Sequence, residues 1–352
     1  YRAVQSREPQ AIAQAVALSF MGVRPESWSK EQWSGTAAFF SQIAFKPTGE
    51  WKEEIVFYDA FRISSGDGAP GTVRFPDGTQ TRLDSNRDPR QVFADWLITP
   101  KNPWFTRSIV NRIWAWTLGR GIIHEPDDIR EDNPPGNPEL LAYLEKELVS
   151  SGYDLKHLKR LIFTSTAYQF SPIARSDKPE AAANFASYLM RRVEAEVLID
   201  AVNKITGTTD LYTSPIPEPF TYIPNSMSAV ELADGSVTSS FLTLFGRSAR
   251  STGMETERVN ELASPQWLHL LNSATLQNKL QSGPKLAAIV SSGGSANEIA
   301  ERLYLTILSR FPTEADVKPA EEHAKKGVTD AKGAWIDLAW ALINSPEFLL
   351  RH

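Results

Sequence analysis

The sequence predicts a mainly α fold, a large helical domain with a small antiparallel β-hairpin insertion. Three observations carry the expectation. Helix-start chemistry recurs along the chain, apolar residues repeat at helical spacing, and one stretch alone, between Glu53 and Leu83, has the alternation and turn of paired strands. In chain order, Ser29-Lys30-Glu31-Gln32 opens an early helix as a capping box, whose Ser and Gln side chains satisfy backbone N–H groups that every helix start leaves open. Ile55-Val56-Phe57-Tyr58 reads as a strand. Thr72-Val73-Arg74-Phe75 and Thr79-Gln80-Thr81-Arg82 flank Pro76-Asp77-Gly78, so Asp-Gly supplies a tight hairpin turn. Asp88-Pro89-Arg90-Gln91 then returns the chain to helix.

Asn102-Pro103, Asn137-Pro138, Ser264-Pro265 and Ser345-Pro346 each place a capping side chain before a proline, whose missing N–H costs nothing at the first helical position. Ser295-Ala296-Asn297-Glu298 is a further capping box. Phe105, Ile109, Ile113 and Trp116 predict one core-facing stripe, and Trp335, Leu338, Ala339, Leu342 and Ile343 another. A helix is also predicted from about Asn184 to Thr206, with Phe185, Tyr188, Leu189, Val193, Ala195, Ile199 and Val202 as its apolar arc. Between Thr208 and Ser236, prolines 215, 217, 219 and 224 interrupt any period. The aromatics Tyr212, Phe220 and Tyr222 there predict a packed loop with possible ligand contact.

Composition bounds the function. The chain has 352 residues, 41% of them apolar, enough for one large core or two. Its ten Trp are expected in core packing, with a stacking platform for sugars or peptides as the second use. With 37 basic and 42 acidic residues interspersed and a formal charge of −5, no cationic stripe is available to neutralise phosphates, so nucleic acid is excluded as a partner. No apolar run approaches the ~20 residues that span a bilayer. There is no cysteine, which excludes disulfides and thiolate metal sites.

Specific motifs add a family. Asn102-Pro103-Trp104-Phe105-Thr106-Arg107-Ser108-Ile109-Val110-Asn111-Arg112-Ile113-Trp114, followed by Gly119-Arg120-Gly121 and Asn133-Pro134-Pro135-Gly136-Asn137-Pro138, resembles the planctomycete-specific domain of unknown function that follows planctomycete cytochrome c-like domains, the DUF 1553 family. The resemblance continues through Thr164-Ser165-Thr166-Ala167-Tyr168-Gln169 and Leu270-Leu271-Asn272-Ser273 to Asn344-Ser345-Pro346-Glu347-Phe348. Phe20-Met21-Gly22-Val23-Arg24 and Gly35-Thr36-Ala37-Ala38-Phe39-Phe40 resemble the tail of its companion, the DUF 1549 family. The expected organisation is therefore a companion tail over 1–50, a hairpin insertion over 51–87 and the helical family domain over 88–352. The first residue is Tyr1, and the chain is expected to begin inside a larger architecture. The resemblance implies an exported protein, periplasmic or at the cell surface.

Two departures from that family bear on chemistry. Its members commonly carry a C-x-x-C-H haem-attachment sequence after the F-L-G-V-R-like turn, where this chain has Pro25-Glu26-Ser27-Trp28. The second Cys-bearing segment of the family appears as Arg250-Ser251-Thr252-Gly253-Met254-Glu255-Thr256-Glu257-Arg258. No cofactor is expected here, haem included.

Two clusters remain as candidate sites. Arg192, Glu196 and Asp200, at i, i+4 and i+8 of the predicted 184–206 helix, fall inside its apolar arc. They form either a buried polar network, with Arg192 paired to Glu196 and Asp200 capping a neighbouring loop or accepting from another helix, or a cleft in which two carboxylates split into acid and base. His124, Asp127 and Asp128, beside Arg120 and Arg130, offer a weaker catalytic set or a hard-cation site, against loop ordering by Asp and Arg bonds. No nucleophile elbow or phosphate loop occurs. The leading expectation is a non-redox interaction or scaffold module of an exported multidomain envelope protein, contacting other domains or subunits, or polysaccharide. The alternatives are a polysaccharide hydrolase or lyase using paired carboxylates, and a haem-free partner of a cytochrome subunit. Because covalent haem needs two thiols and an adjacent His, the purified protein is expected to show no Soret band. A Soret maximum after incubation with haem and removal of the excess would restore the electron-transfer reading.

Overall fold

The computed structural model describes residues 6–49, 54–62, 71–84, 86–214, 218, 221–232, 237–248, 258–259, 263–325 and 331–351. Helices dominate, and the strands form three two-stranded antiparallel pairs. The chain divides into two compact units, the first chiefly residues up to Leu189 and the second chiefly residues from Met190 onward. No helix among the described residues is long and apolar enough to cross a membrane.

In the first unit the caps fall largely where the sequence places them. Ser29 and Gln32 exchange the capping-box bonds at 3.3 and 3.0 Å, and Asn137 accepts from the Leu140 N–H at 2.9 Å to open the helix Pro138–Ser150. Asn102 accepts from both Trp104 and Phe105, so the helix Phe105–Leu118 starts two residues beyond Pro103. Its buried face differs from the predicted stripe. Val110, Ile113, Trp114 and Leu118 enter the core, whereas Trp116 is 41% exposed. The shift follows from Asn111, which is fully buried and whose amide needs the inward side of the same helix.

Strands β1 (Ile43–Pro47) and β2 (Glu54–Tyr58) pair antiparallel, as do β3 (Thr72–Arg74) and β4 (Gln80–Arg82). The expected Asp77-Gly78 turn closes β3 on β4, with Gly78 at φ 86° and the Phe75 N–H donating to the Thr79 carbonyl at 2.8 Å. Phe39 stacks on Phe75 at 4.7 Å and Phe75 on Trp96 at 4.9 Å, so the hairpin is held on the helices by aromatic contact. A second apolar cluster, around Val110, Trp114, Leu144, Leu148, Leu158 and Ile162, fills the rest of this unit.

The second unit packs the helices Ala195–Thr206, Ser264–Asn272, Ala274–Ser282, Pro284–Val290, Ala296–Ile307 and Ala331–Ile343 around one apolar core. Trp335, Ala339, Leu342 and Ile343 point into it, as their spacing predicts. Ser264 is not a cap: Ala263 holds that position, and the Gln266 side chain reaches back to its N–H at 3.1 Å. Strand β5 (Arg191–Arg192) pairs antiparallel with β6 (Leu350–Arg351), and Val193 adds a bond to the Leu349 carbonyl at 2.8 Å.

Asn111 is the residue on which the first unit's long loop hangs. Its Nδ2 donates to the carbonyls of Ile123 at 2.9 Å and Pro126 at 3.3 Å, and its Oδ1 accepts from the Ile123 N–H at 2.9 Å. Replacing Asn111 by Ala strands a buried N–H and a buried C=O at Ile123. At ~1–3 kcal/mol for each unsatisfied group, Asn111→Ala is expected to lower unfolding stability by about 2–6 kcal/mol in chemical denaturation. An unchanged midpoint would mean that the loop is anchored elsewhere.

Candidate functional site

Sequence reasoning placed Arg192, Glu196 and Asp200 on one helix. The structure separates them. Residues 184–194 are not helical: Phe185 takes a positive φ of 55°, and Arg191 and Arg192 are in strand β5. With a strand at Arg192 and a helix from Ala195, the i, i+4 relation is lost, and Arg192 does not pair with Glu196. It donates instead to the carbonyls of Val193 (2.8 Å), Phe245 (2.6 Å) and Val259 (2.9 Å), with its guanidinium over the Phe245 ring. Burial is the largest influence on it and draws its pKa below the usual arginine value, while Glu194 and Glu196 act the other way.

Glu196, only 7% exposed, finds its partners in distant segments. Arg258 holds both carboxylate oxygens in a fork at 3.0 Å each, and the Nε of Arg247 lies 3.1 Å from Oε1. Arg247 continues to the carbonyls of Val237 (2.5 Å) and Leu232 (2.8 Å). Glu194 extends the network, 2.9 Å from Arg351 and 3.8 Å from Arg258. Burial pushes Glu196 toward the neutral acid, but the hydrogen bonds and charges of Arg258 and Arg247 outweigh it and hold its pKa below the ordinary value. Its place in the first turn of the helix Ala195–Thr206 adds the favourable end of the helix dipole.

Asp200, one turn further, accepts from the Ala229 and Val230 N–H groups at 2.8 and 3.0 Å, capping the short 3-10 helix Ala229–Glu231. Glu196 and Asp200 are thus occupied by different partners, and neither is paired with the other. Tyr212 is buried in the core of the second unit, where burial first and then Asp210 and Asp200 push its hydroxyl up to about 12. It is a packing residue rather than a surface contact. Tyr222 is 70% exposed, and Phe220 lies outside the described residues.

The second predicted cluster also disperses. Asp127 is 1% exposed and bound by the Arg112 Nε at 2.5 Å. Asp128 lies 3.3 Å from Arg130, with its backbone carbonyl taking the Asn133 amide. His124 reaches the surface, 3.4 Å from the Glu125 carboxylate, and burial followed by the charge of Arg120 lowers its pKa, so the imidazole is neutral at pH 7. Among the described residues, no three His, Asp or Glu side chains converge as metal ligands.

Among the described residues, cavities open on the first unit. One of about 310 Å³ is lined by Trp114, Tyr143, Phe170 and Phe185, with Asn137, Ser165 and Asn184 as its polar points. Another of about 340 Å³ lies beside Asn102, Thr106, Glu145 and Lys146. A smaller one of about 180 Å³ contains Arg120 and His124. None is lined by Glu196, Asp200, Asp127 or Asp128. Sequence reasoning passed over Arg247 as a partner of Glu196 and Asn111 as an anchor. Only the repeated Asn and Arg of the 102–114 signature hinted at the second.

A family described as PSD1: Protein of unknown function (DUF1553) matches residues 89–324. The chain belongs to this family. No curated protein and no solved structure matches it. The matched PSD1 span contains both clusters and all the residues that bind Glu196. In this PSD1 chain the Arg258 that ends the cysteine-free Arg250–Arg258 segment therefore has a structural task, holding the Glu196 carboxylate.

The sign of the pH dependence follows from the depressed Glu196 acid. Its stabilising contribution is complete above the ordinary carboxyl value of 4.5 and is lost as the pH falls through the lower folded-state value. Glu196→Gln leaves the buried Arg247 and the partly buried Arg258 short of a counter-charge, a cost of about 3–5 kcal/mol at pH 7. The variant is also expected to lose less further stability than the wild type between pH 5 and pH 3. Parallel acid titrations of the two proteins would show that Glu196 is not the acid-sensitive group.

Proposed function

We propose that this chain is a non-redox interaction module of an exported multidomain envelope protein, holding a segment of polysaccharide or of a partner protein in the aromatic cavity of its first unit. One observation carries the reading. The 310 Å³ cavity is lined by the exposed rings of Tyr143 and Phe170 over the buried Trp114 and Phe185, with a few amide and hydroxyl groups, the composition of a surface that binds by stacking and directional hydrogen bonds. Tyr143 and Phe170 on its rim are both substantially exposed, giving rigid contact area at small entropic cost.

The carboxylates that a hydrolase or lyase would use support the same choice. Glu196 is clamped by two arginines, Asp200 serves as a cap and Asp127 is tied to Arg112, so none is placed beside that rim. The cysteine-free sequence favours a role apart from covalent haem. Export is proposed from the resemblance of the chain to proteins that follow cytochrome c-like domains.

The test is a binding screen of the purified chain against neutral and sulfated polysaccharides and envelope protein fractions. Tyr143→Ala and Phe170→Ala run beside the wild type. Loss of one exposed aromatic anchor is expected to weaken the best ligand by about tenfold, or ~1.4 kcal/mol, with the melting temperature little changed. Equal affinity of both variants and the wild type would remove the cavity from the reading, and turnover of any tested polysaccharide would remove its non-catalytic character.

A further inference from the structure

The small cavity of the first unit is lined by one cation, Arg120, among the described residues. Arg120 follows the helix Phe105–Leu118 and is half-buried, yet among the described residues it makes no hydrogen bond and no ion pair. Its neighbours in sequence behave differently. Arg107 holds Glu145 at 2.8 Å, Arg112 holds Asp127 and two backbone carbonyls, and Arg130 lies between Asp128 and Asp132. Glu125, the nearest acid in sequence, faces His124 instead. A guanidinium carries five donors in a planar fork that matches a carboxylate, and a position where it is partly desolvated without an acceptor is one where an added anion gains most.

The rest of the cavity narrows the class of anion. Its volume of about 180 Å³ corresponds to roughly six water-sized volumes, room for a carboxylate and a short tail. Leu118, Phe185 and Leu189 make much of the wall apolar, so a bare phosphate would leave that wall unfilled. His124 and Ser187 add a ring N–H and a hydroxyl, each a donor for an anion's oxygen.

We propose that this cavity binds a carboxylate with a small apolar substituent, Arg120 clamping the carboxylate, His124 and Ser187 hydrogen-bonding to it, and Phe185 and Leu189 covering the tail. The site is distinct in chemistry from the aromatic cavity and stands or falls independently of it. Two sources share this ligand chemistry, a free short-chain acid and the C-terminus of a polypeptide ending in an apolar residue.

The experiment is a calorimetric and NMR titration of the whole chain with four probes: 4-methylpentanoate, acetyl-Gly-Leu with a free carboxylate, the same peptide as its C-terminal amide, and inorganic phosphate. Binding of either carboxylate, at least tenfold tighter than the amide and phosphate, is expected. The tighter of the two acids identifies the source. Arg120→Gln, which removes no hydrogen bond or ion pair among the described residues, is expected to melt like the wild type and to lose at least tenfold in affinity. Leu189→Trp, which fills the cavity from its exposed edge, is expected to reduce binding while Arg120 stays in place. Absence of carboxylate binding, equal binding of the amide or of phosphate, or full affinity in Arg120→Gln would each overturn the proposal.

Discussion

The Arg112–Asp127 pair is the contact that the first unit cannot lose. Asp127 is buried, so its charge is tolerable only beside a fixed cation, and Arg112 supplies one from the middle of the helix Phe105–Leu118. The same guanidinium donates to the carbonyls of Leu18 and Ser19, in the last turn of the helix Pro9–Met21. Those carbonyls have no partner within their own helix and form the negative end of its dipole. One side chain therefore satisfies a buried acid and a helix terminus together. Around it, the Ile129 N–H bonds the Gly22 carbonyl at 2.9 Å, and Arg24 reaches the Asp127 carbonyl at 3.3 Å. The Phe20–Arg24 turn, which resembles a companion domain, is knitted into the loop of the family signature.

Glycine makes that knitting possible at two points. Gly22 adopts φ 64° to end its helix, and a Cβ there would press on Ile129 at 3.1 Å. At Gly121 a Cβ would meet the Ile123 carbonyl at 2.2 Å and the Asn111 amide at 3.1 Å. The Gly119-Arg120-Gly121 motif thus serves two ends. Its glycines let the chain turn tightly beneath Asn111, and the turn leaves the arginine between them at the mouth of a cavity.

The sequence disclosed most of what is local. The caps at Ser29, Asn137, Ser295 and Ser345 and the Asp77-Gly78 turn were legible because each is made by residues within four positions of one another. The pairing of β1 with β2 was only half visible, since Ile43–Pro47 carries no turn signal linking it to its partner. The candidate site was least legible. Arg258 reaches Glu196 across 62 positions, and no periodic pattern records such a meeting. The predicted 184–206 helix failed for a related reason. Its residues have helical spacing, but Arg191 and Arg192 obtain their partners from Leu350 and Arg351 at the other end of the second unit, and that pairing overrides local preference.

That pairing of β5 with β6 has a mechanical consequence. Arg191 lies opposite Arg351 and Arg192 opposite Leu350, so residues near the two ends of the unit sit side by side. A force that draws residues 191 and 351 apart acts across the ladder rather than along it. The backbone bonds then yield one after another, with the Arg351–Glu194 contact, at 2.9 Å, among those that back them up. The second unit is fastened like a zip with its slider at the outer end: closed at rest, and easy to open under tension before the helical core behind it is strained.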